Sequence, residues 1–526
     1  MAQTILETDE PLSRSRLWRM QRAFFEERGP DAWREAIVPH YVTSNPFIAA
    51  AYAQLVFAYW RDAWPTLDWS QPLYVVELGA GAGRFAFHFL RAMTALLPRS
   101  PLADVRFVYV LTDVVERNLD FVAGHPALAP FVASGQLELA RFDATSDEAL
   151  RLRRGARSLG AGDVANPLVA VANYVFDGVP QDMFYVEGGR LHDSLVTLAC
   201  AEAPANLDDP ALIAEVALGW TRRPAERARY GEERRDAILE HYRAHLSRGA
   251  FSFPTAALRA IDALAALAGG QMLLLSADKG QSHEAALPRR EEPALTVHGS
   301  FSLPVNYHAI GEYVRLSGGK AMTAPQPHAR LNVCAFTLGA LPGDHVETAL
   351  AFEQVVERLG PDDVYSLKKA LDPRVDDLSL EQLLAFVRLS GADMDVLLRC
   401  RQALSERAAE ATAAQRRELG RVVTAAWADY YALDDARDVA FELGGLLCEV
   451  GACDAALPLF EASLAQYGPD RATLFNVAFC RARTGELVEA LALVVTLLAD
   501  DPSFEDAHAL RRELTEELAR ATAAAG

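Results

Sequence analysis

The sequence is short of cysteine, of positive charge and of long apolar runs. Six cysteines are spread over 526 residues (Cys200, Cys334, Cys400, Cys448, Cys453 and Cys480), with no C-x-x-C spacing. Without paired spacing they read as buried thiols in a reducing cytosol. No stretch of about eighteen uncharged apolar residues occurs, so no membrane span is expected. Lys and Arg number 51 against 71 Asp and Glu, a formal charge of −20. A balance that negative opposes a phosphate backbone, so nucleic acid is not an expected partner. The start, "MAQTILETDEPLSR", is polar and acidic and lacks the apolar segment of a signal peptide, so a cytoplasmic location is expected. What remains is a globular balance, 51 % hydrophobic and 23 % charged, in a chain long enough for roughly two to four domains.

One glycine loop carries the first chemical signal. "VVELGAGAGRF" spans Val75 to Phe85 and follows the apolar run "LYVVELG". The run predicts a buried parallel strand, and "RFAFHFLRAM" predicts a helix with Phe85, Phe89 and Met93 on one face. No Gly-Lys-Ser/Thr follows, which excludes a nucleotide P-loop. Arg84 stands where a dinucleotide fingerprint needs its third glycine. The observed pattern has Glu77 two positions before Gly79, then Gly81 and Gly83. This E-x-G-x-G-x-G form resembles motif I of class I S-adenosylmethionine (SAM) methyltransferases, which implies SAM as cofactor. The alternative is a glycine turn that merely packs strand on helix.

Later strand ends extend the pattern. "VRFVYVLTDVVERNLDF" places Asp113 at the end of a second strand, where a carboxylate can accept two hydrogen bonds from ribose hydroxyls. "GQLELARFDA" places Asp143 at a third strand end, where methyltransferases meet the adenine amine. "NPLVAVANYVFDGVP" runs a fourth strand into Asn173, Tyr174, Phe176 and Asp177. Any one such acid can instead cap a helix.

"ELGAGAGRF", "YVLTDVVERNL" and "ANYVFDGVP" together resemble the MidA-type family of SAM-dependent methyltransferases. "GGQMLLLSADKG" and "HGSFSLPVNYHAIGEYVRLSGG" resemble its later segments, so the likeness runs from about Tyr41 to Gly339. It departs at Tyr174, where the family has Glu, and at Lys279, where it has an aromatic residue. The resemblance implies cofactor contacts from Glu77, Gly79, Gly81, Gly83, Asp113, Asp143 and Asn173. The family includes protein arginine methylation, and a guanidinium substrate wants carboxylates around it. Asn173 and Asp177 are therefore the expected acceptor-orienting residues, with Tyr174 as a wall. His298 and His308 are the candidate bases if the acceptor is a hydroxyl.

The flanks fill in the architecture. Residues 1–70 read as a helical cap, with Tyr41, Thr43, Ser44 and Asn45 as lid candidates or helix caps. Residues 71–340 read as the methyltransferase domain, with a helical insertion at about 201–269. The insertion's Arg222, Arg223, Arg227, Arg229, Arg234, Arg235, Arg243 and Arg248 read as a solvated helix laced with acidic partners. His241 and His245 lie one turn apart, but no third ligand has recognisable spacing, so no metal is expected. Residues 341–425 read as a helical linker and 426–526 as a repeat. Gly444 and Ala478, Gly451 and Gly485, Ala456 and Ala490, Phe460 and Val494, and Leu464 and Leu498 are each 34 apart. Period and small-residue pattern resemble the tetratricopeptide repeat. The expected fold is thus α/β, a Rossmann-like class I SAM methyltransferase fold with a helical insertion, followed by an all-α repeat-like domain. Three functions fit: methylation of a protein or peptide recruited by the repeats, methylation of a small molecule with the repeats forming a homodimer, and a non-catalytic SAM-fold adaptor.

Overall fold

Apolar runs ending in polar residues form the central sheet. The computed structural model describes residues 4–326, 331–433 and 436–525. His328 to Arg330, the expected start of the last strand, lies outside them. The chain divides into two compact units, Met1–Tyr365 and Ser366–Gly526.

In the first unit the sheet strands are β1 (Leu73–Glu77), β2 (Phe107–Asp113), β3 (Leu137–Arg141), β4 (Leu168–Asn173), β5 (Met272–Asp278), β6 (Lys320–Thr323) and β7 (Asn332–Leu338). Their spatial order is β6-β7-β5-β4-β1-β2-β3, continued by Leu150–Leu152 and Ser158–Leu159. β1 to β5 pair in parallel, whereas β7 runs antiparallel to both β5 and β6. β1, β4 and β5 are buried on both faces apart from half-buried Asn173, which is why they read as unbroken apolar runs. The strand order reverses at β1, so the crevice between the carboxyl ends of β1 and β4 is the place where such sheets bind ligands.

The expected helical cap does carry helices Leu17–Arg28 and Pro46–Ala63 but opens on a strand, and the expected helical insertion needs correcting. Thr4–Pro11 is a strand, and it pairs with Arg190–Cys200 from beyond β4. Asp182–Glu187, Ala217–Pro224 and Arg248–Phe253 complete this second, antiparallel sheet. Only Glu233–His245 and Thr255–Leu267 of the insertion are long helices. The arginine-rich run misled because its first part alternates on an exposed strand, and its pairs mostly cross between elements. Arg222 bonds Glu291 and Glu292, Arg223 pairs with Asp9, and Arg229 bonds Asp193 at 2.8 Å.

The division between units also falls later than the change of composition near Pro342. Helix Val346–Phe352 belongs to the first unit because Asp62 accepts hydrogen bonds from the Glu347 and Thr348 backbone N–H groups and from the Thr348 hydroxyl. Among the described residues, the regular elements of the second unit are all helices. They include Val439–Glu449, Cys453–Tyr467, Arg471–Arg483, Leu487–Asp500 and Glu505–Ala525. Repeat-related Ala456 and Ala490 are both fully buried, as are Phe460 and Val494. The cluster of buried residues from Val375 to Cys480 shows the same packing already running through the expected linker.

Candidate active site

Between β1 and the helix Arg84–Leu96, the chain turns through Gly79, Gly81 and Gly83, whose φ angles are +56°, +56° and +77°. Side chains rarely adopt that region, so the turn selects glycine. Asp113 at the end of β2 braces it, accepting from Gly81 N–H at 2.9 Å and from Val115 N–H at 2.8 Å. Burial pushes the Asp113 carboxyl upward, and these backbone donors pull against it. Glu77 is buried beneath the turn and accepts from the Tyr109 hydroxyl at 2.9 Å. Burial raises its carboxyl to about 8, and the nearby Asp113 charge adds to the rise. Glu77 therefore stays protonated at neutral pH.

The N-terminal segment lies over this edge. A Cβ on Gly81 would fall 2.6 Å from the Trp33 ring, so Trp33 rests directly on the turn. Arg22 bonds Asp143, which also accepts from Thr145 N–H and its hydroxyl. Burial opposes ionisation of Asp143, but Thr145 and Arg22 outweigh it and hold the carboxyl below its ordinary range. Arg84 stacks its guanidinium 5.7 Å from the Tyr41 ring centroid. Of the other lid candidates, Asn45 caps helix Pro46–Ala63 through Ile48 N–H, and the Ser44 hydroxyl bonds the His40 carbonyl. Thr43 reaches the sheet edge with its carbonyl, which accepts from Asn173.

Asn173 ends β4 and is held on both sides: its amide donates to Thr43 O at 3.1 Å and accepts from the Tyr52 hydroxyl at 2.9 Å. Tyr174 follows with φ +52°, a left-handed conformation uncommon for a bulky residue. Its hydroxyl is pushed upward by burial, then by the charges of Asp278 and Asp177. Asp177 cannot be a helix cap, because the segment after it enters strand Asp182–Glu187. It pairs instead with Asp278, the last residue of β5. Asp278 accepts from Asp177 N–H at 3.0 Å and from Lys279 N–H at 2.9 Å, and the two carboxyls hydrogen-bond each other. Burial raises both groups, Asp177 to about 6, and each disfavours a second charge beside it. The pair therefore holds one proton between two carboxyls.

The two histidines separate. His298 lies on the short strand Thr296–His298, half-buried, and its imidazole is pushed down by burial and by Lys279. His308 is bound elsewhere: its Nδ1 lies 2.8 Å from the Tyr242 hydroxyl and its Nε2 is 3.8 Å from Glu312. The structure thus brings Tyr174, Asp177, Asp278 and Lys279 together at one strand edge and leaves His308 out. His241, read with His245 as an incomplete metal pair, bonds Glu284 at 3.0 Å. Sequence reasoning missed Asp278, although "LLLSADKG" ends a strand in an acid just as "YVLTD" does. It also missed Trp33 and Arg22, whose contacts no local pattern encodes.

Residues 55–298, somewhat less than half of the chain, match the family model described as "Putative S-adenosyl-L-methionine-dependent methyltransferase". Over those residues the first unit is similar to SAM-dependent methyltransferases. Its sheet order and glycine turn agree with that chemistry. Among solved structures, an uncharacterised superfamily protein from Burkholderia thailandensis is 16 % identical, with a TM-score of 0.40 over 63 % of this chain and 89 % of that one. A second structure from that organism, of a superfamily member described as a likely methyl transferase and bound to S-adenosyl-homocysteine, is 16 % identical, with a TM-score of 0.39 over the same shares of 63 % and 89 %. The 1,6-didemethyltoxoflavin-N1-methyltransferase of B. thailandensis is 11 % identical, with a TM-score of 0.28 over 64 % of this chain and 94 % of that one. No curated protein matches the chain. No helix among the described residues is long and apolar enough to cross a membrane.

The site's residues fit SAM. The turn sets three glycines in succession, with Val175 against Gly79 and Trp33 against Gly81, and ionised Asp143 keeps acceptor capacity beyond its bonds to Arg22 and Thr145.

Proposed function

We propose that the enzyme methylates a nitrogen of a cationic group, of the guanidinium or amine class, on a protein or peptide. The observation that carries this reading is the buried Asp177–Asp278 pair at the carboxyl ends of β4 and β5. One shared proton leaves the pair with a single negative charge, and a cation entering beside it replaces that proton's role. A guanidinium offers several donors in a fixed fork, which suits two adjacent carboxyls. Departure from the family at Tyr174 removes one carboxylate from the pocket, and Asp278 supplies the second.

SAM, when bound, supplies a methyl group on a sulfonium, which leaves without needing a proton. The chain's own work is alignment and exclusion of water. Asn173, fixed between Tyr52 and Thr43, sets the height of the Tyr174 wall. Asp177 and Asp278 orient the acceptor nitrogen and accept its proton. His298, held neutral, stands near Lys279 as a further acceptor. The helical unit, with its repeat of 34 residues, serves in this reading to recruit the polypeptide.

The test is transfer of a labelled methyl from SAM to a cell lysate, followed by separation of macromolecular from small-molecule label. We expect label in protein, on arginine or another cationic side chain after hydrolysis. Label confined to small molecules rejects the polypeptide substrate and leaves the helical unit to dimerisation.

A further inference from the structure

Three of the six cysteines, distant from any paired motif in sequence, meet inside the helical unit. Cys448 lies in the last turn of Val439–Glu449, Cys453 begins Cys453–Tyr467, and Cys480 sits on Arg471–Arg483. The Cys448 and Cys480 sulfurs are 3.3 Å apart, and all three sulfurs lie within 4.8 Å of one another. A cation bound by three thiolates at about 2.3 Å holds its sulfurs about 4 Å apart, which falls inside that spread. Cys453 and Cys480 are buried, while Cys448 is partly open to solvent.

Packing alone does not call for these thiols. Displaced by 34 residues, Cys448 and Cys453 correspond to Ala482 and Leu487, and Cys480 corresponds to Leu446. The repeat is thus satisfied by apolar residues at all three places. Cys453 is the first residue of its helix. No fourth Cys, His, Asp or Glu joins the group among the described residues.

We propose that Cys448, Cys453 and Cys480 form a binding site for one soft thiophilic cation, Cu⁺ or Zn²⁺. Three thiolates without a fourth protein ligand suit trigonal Cu⁺ directly, whereas Zn²⁺ completes its shell with water on the open side of Cys448. Binding converts S–H groups to thiolates and releases their protons, and no electron is transferred. The site is separate from the methyl-transfer chemistry and does not depend on its substrate.

The experiment uses the full-length, reduced protein under anaerobic conditions. Zn²⁺ alone and Cu⁺ alone are each titrated in competition with a chromophoric chelator. One equivalent per chain is expected, with affinity lowered at least about tenfold by Cys480→Ser. Cys448→Ser, at the half-exposed position, gives a second variant should Cys480→Ser fail to fold. Cys400→Ser, a buried thiol of the same unit outside the cluster, should bind as the parent does. The cation that loads identifies the site as copper or zinc, and either supports it. Binding of neither, binding unchanged in both cluster variants, or a Cys448–Cys480 disulfide in place of cation uptake overturns the proposal.

Discussion

Gly81 and Gly444 show how differently the two units use the same residue. Gly81 sits in a left-handed turn, and a Cβ there would strike the Trp33 ring at 2.6 Å. Gly444 sits within a regular helix, and a Cβ there would strike the Phe460 ring at 2.8 Å. In the first unit glycine shapes a ligand surface and its cover; in the second it lets two helices approach. The first unit concentrates chemistry at strand ends, and the second distributes packing along a period.

Removing one acid of the pair should break the comparison most sharply. Asp278→Asn should lower methyl transfer on the order of a hundredfold with SAM affinity changed only a few-fold, as expected for a lost positioning contact. Steady-state turnover and calorimetry, read together, check this; equal loss in both would make the pair part of the cofactor site.

Gly81→Val should weaken SAM binding at least about tenfold, through the strained turn and the collision with Trp33. Gly444→Val should leave SAM affinity unchanged and cost about 1–3 kcal/mol of stability by overpacking against Phe460. Calorimetric titration beside thermal melting separates the two kinds of glycine, and a SAM defect in Gly444→Val would erase the contrast.

A chain ending at Tyr365 should keep SAM affinity within about twofold, because every residue around the turn lies in the first unit. One ending at Gly339 should melt lower, since Asp62 loses its bonds to Thr348 and Glu347. Equal melting of the two chains would show that helix Val346–Phe352 is not integral to the first unit.

The smallest effect concerns pH. Glu77 and Asp177 have folded values of about 8 and about 6, above the ordinary 4.5 and 3.8. The folded state keeps protons that the unfolded state loses, so their contribution to stability is present at low pH and lost as pH rises through those values. Melting temperature should fall between about pH 5 and about pH 8, and Glu77→Gln should flatten part of that slope. A variant with the parental slope would show that Glu77 ionises in place.

The sequence by itself determined the strand-turn-helix around Gly79 to Gly83, the acids at the ends of β2 and β4, and the 34-residue period. Each is local: an apolar run, a conformation only glycine adopts readily, or a spacing that repeats. It also held the carboxyl end of β5 in plain view, and the same strand-end logic reaches Asp278. Tertiary structure alone decided the rest. The insertion became a sheet because its strands pair with Thr4–Pro11 from the far end of the unit, and exposed strands carry no buried apolar signature. Asn173 is spoken for by Tyr52 and Thr43, and Asp143 by Arg22, because the N-terminal segment folds over the sheet edge. His308 left the site for Tyr242. Three cysteines without a motif became neighbours because consecutive helices stack, and stacking joins residues whose separation in sequence says nothing about their distance.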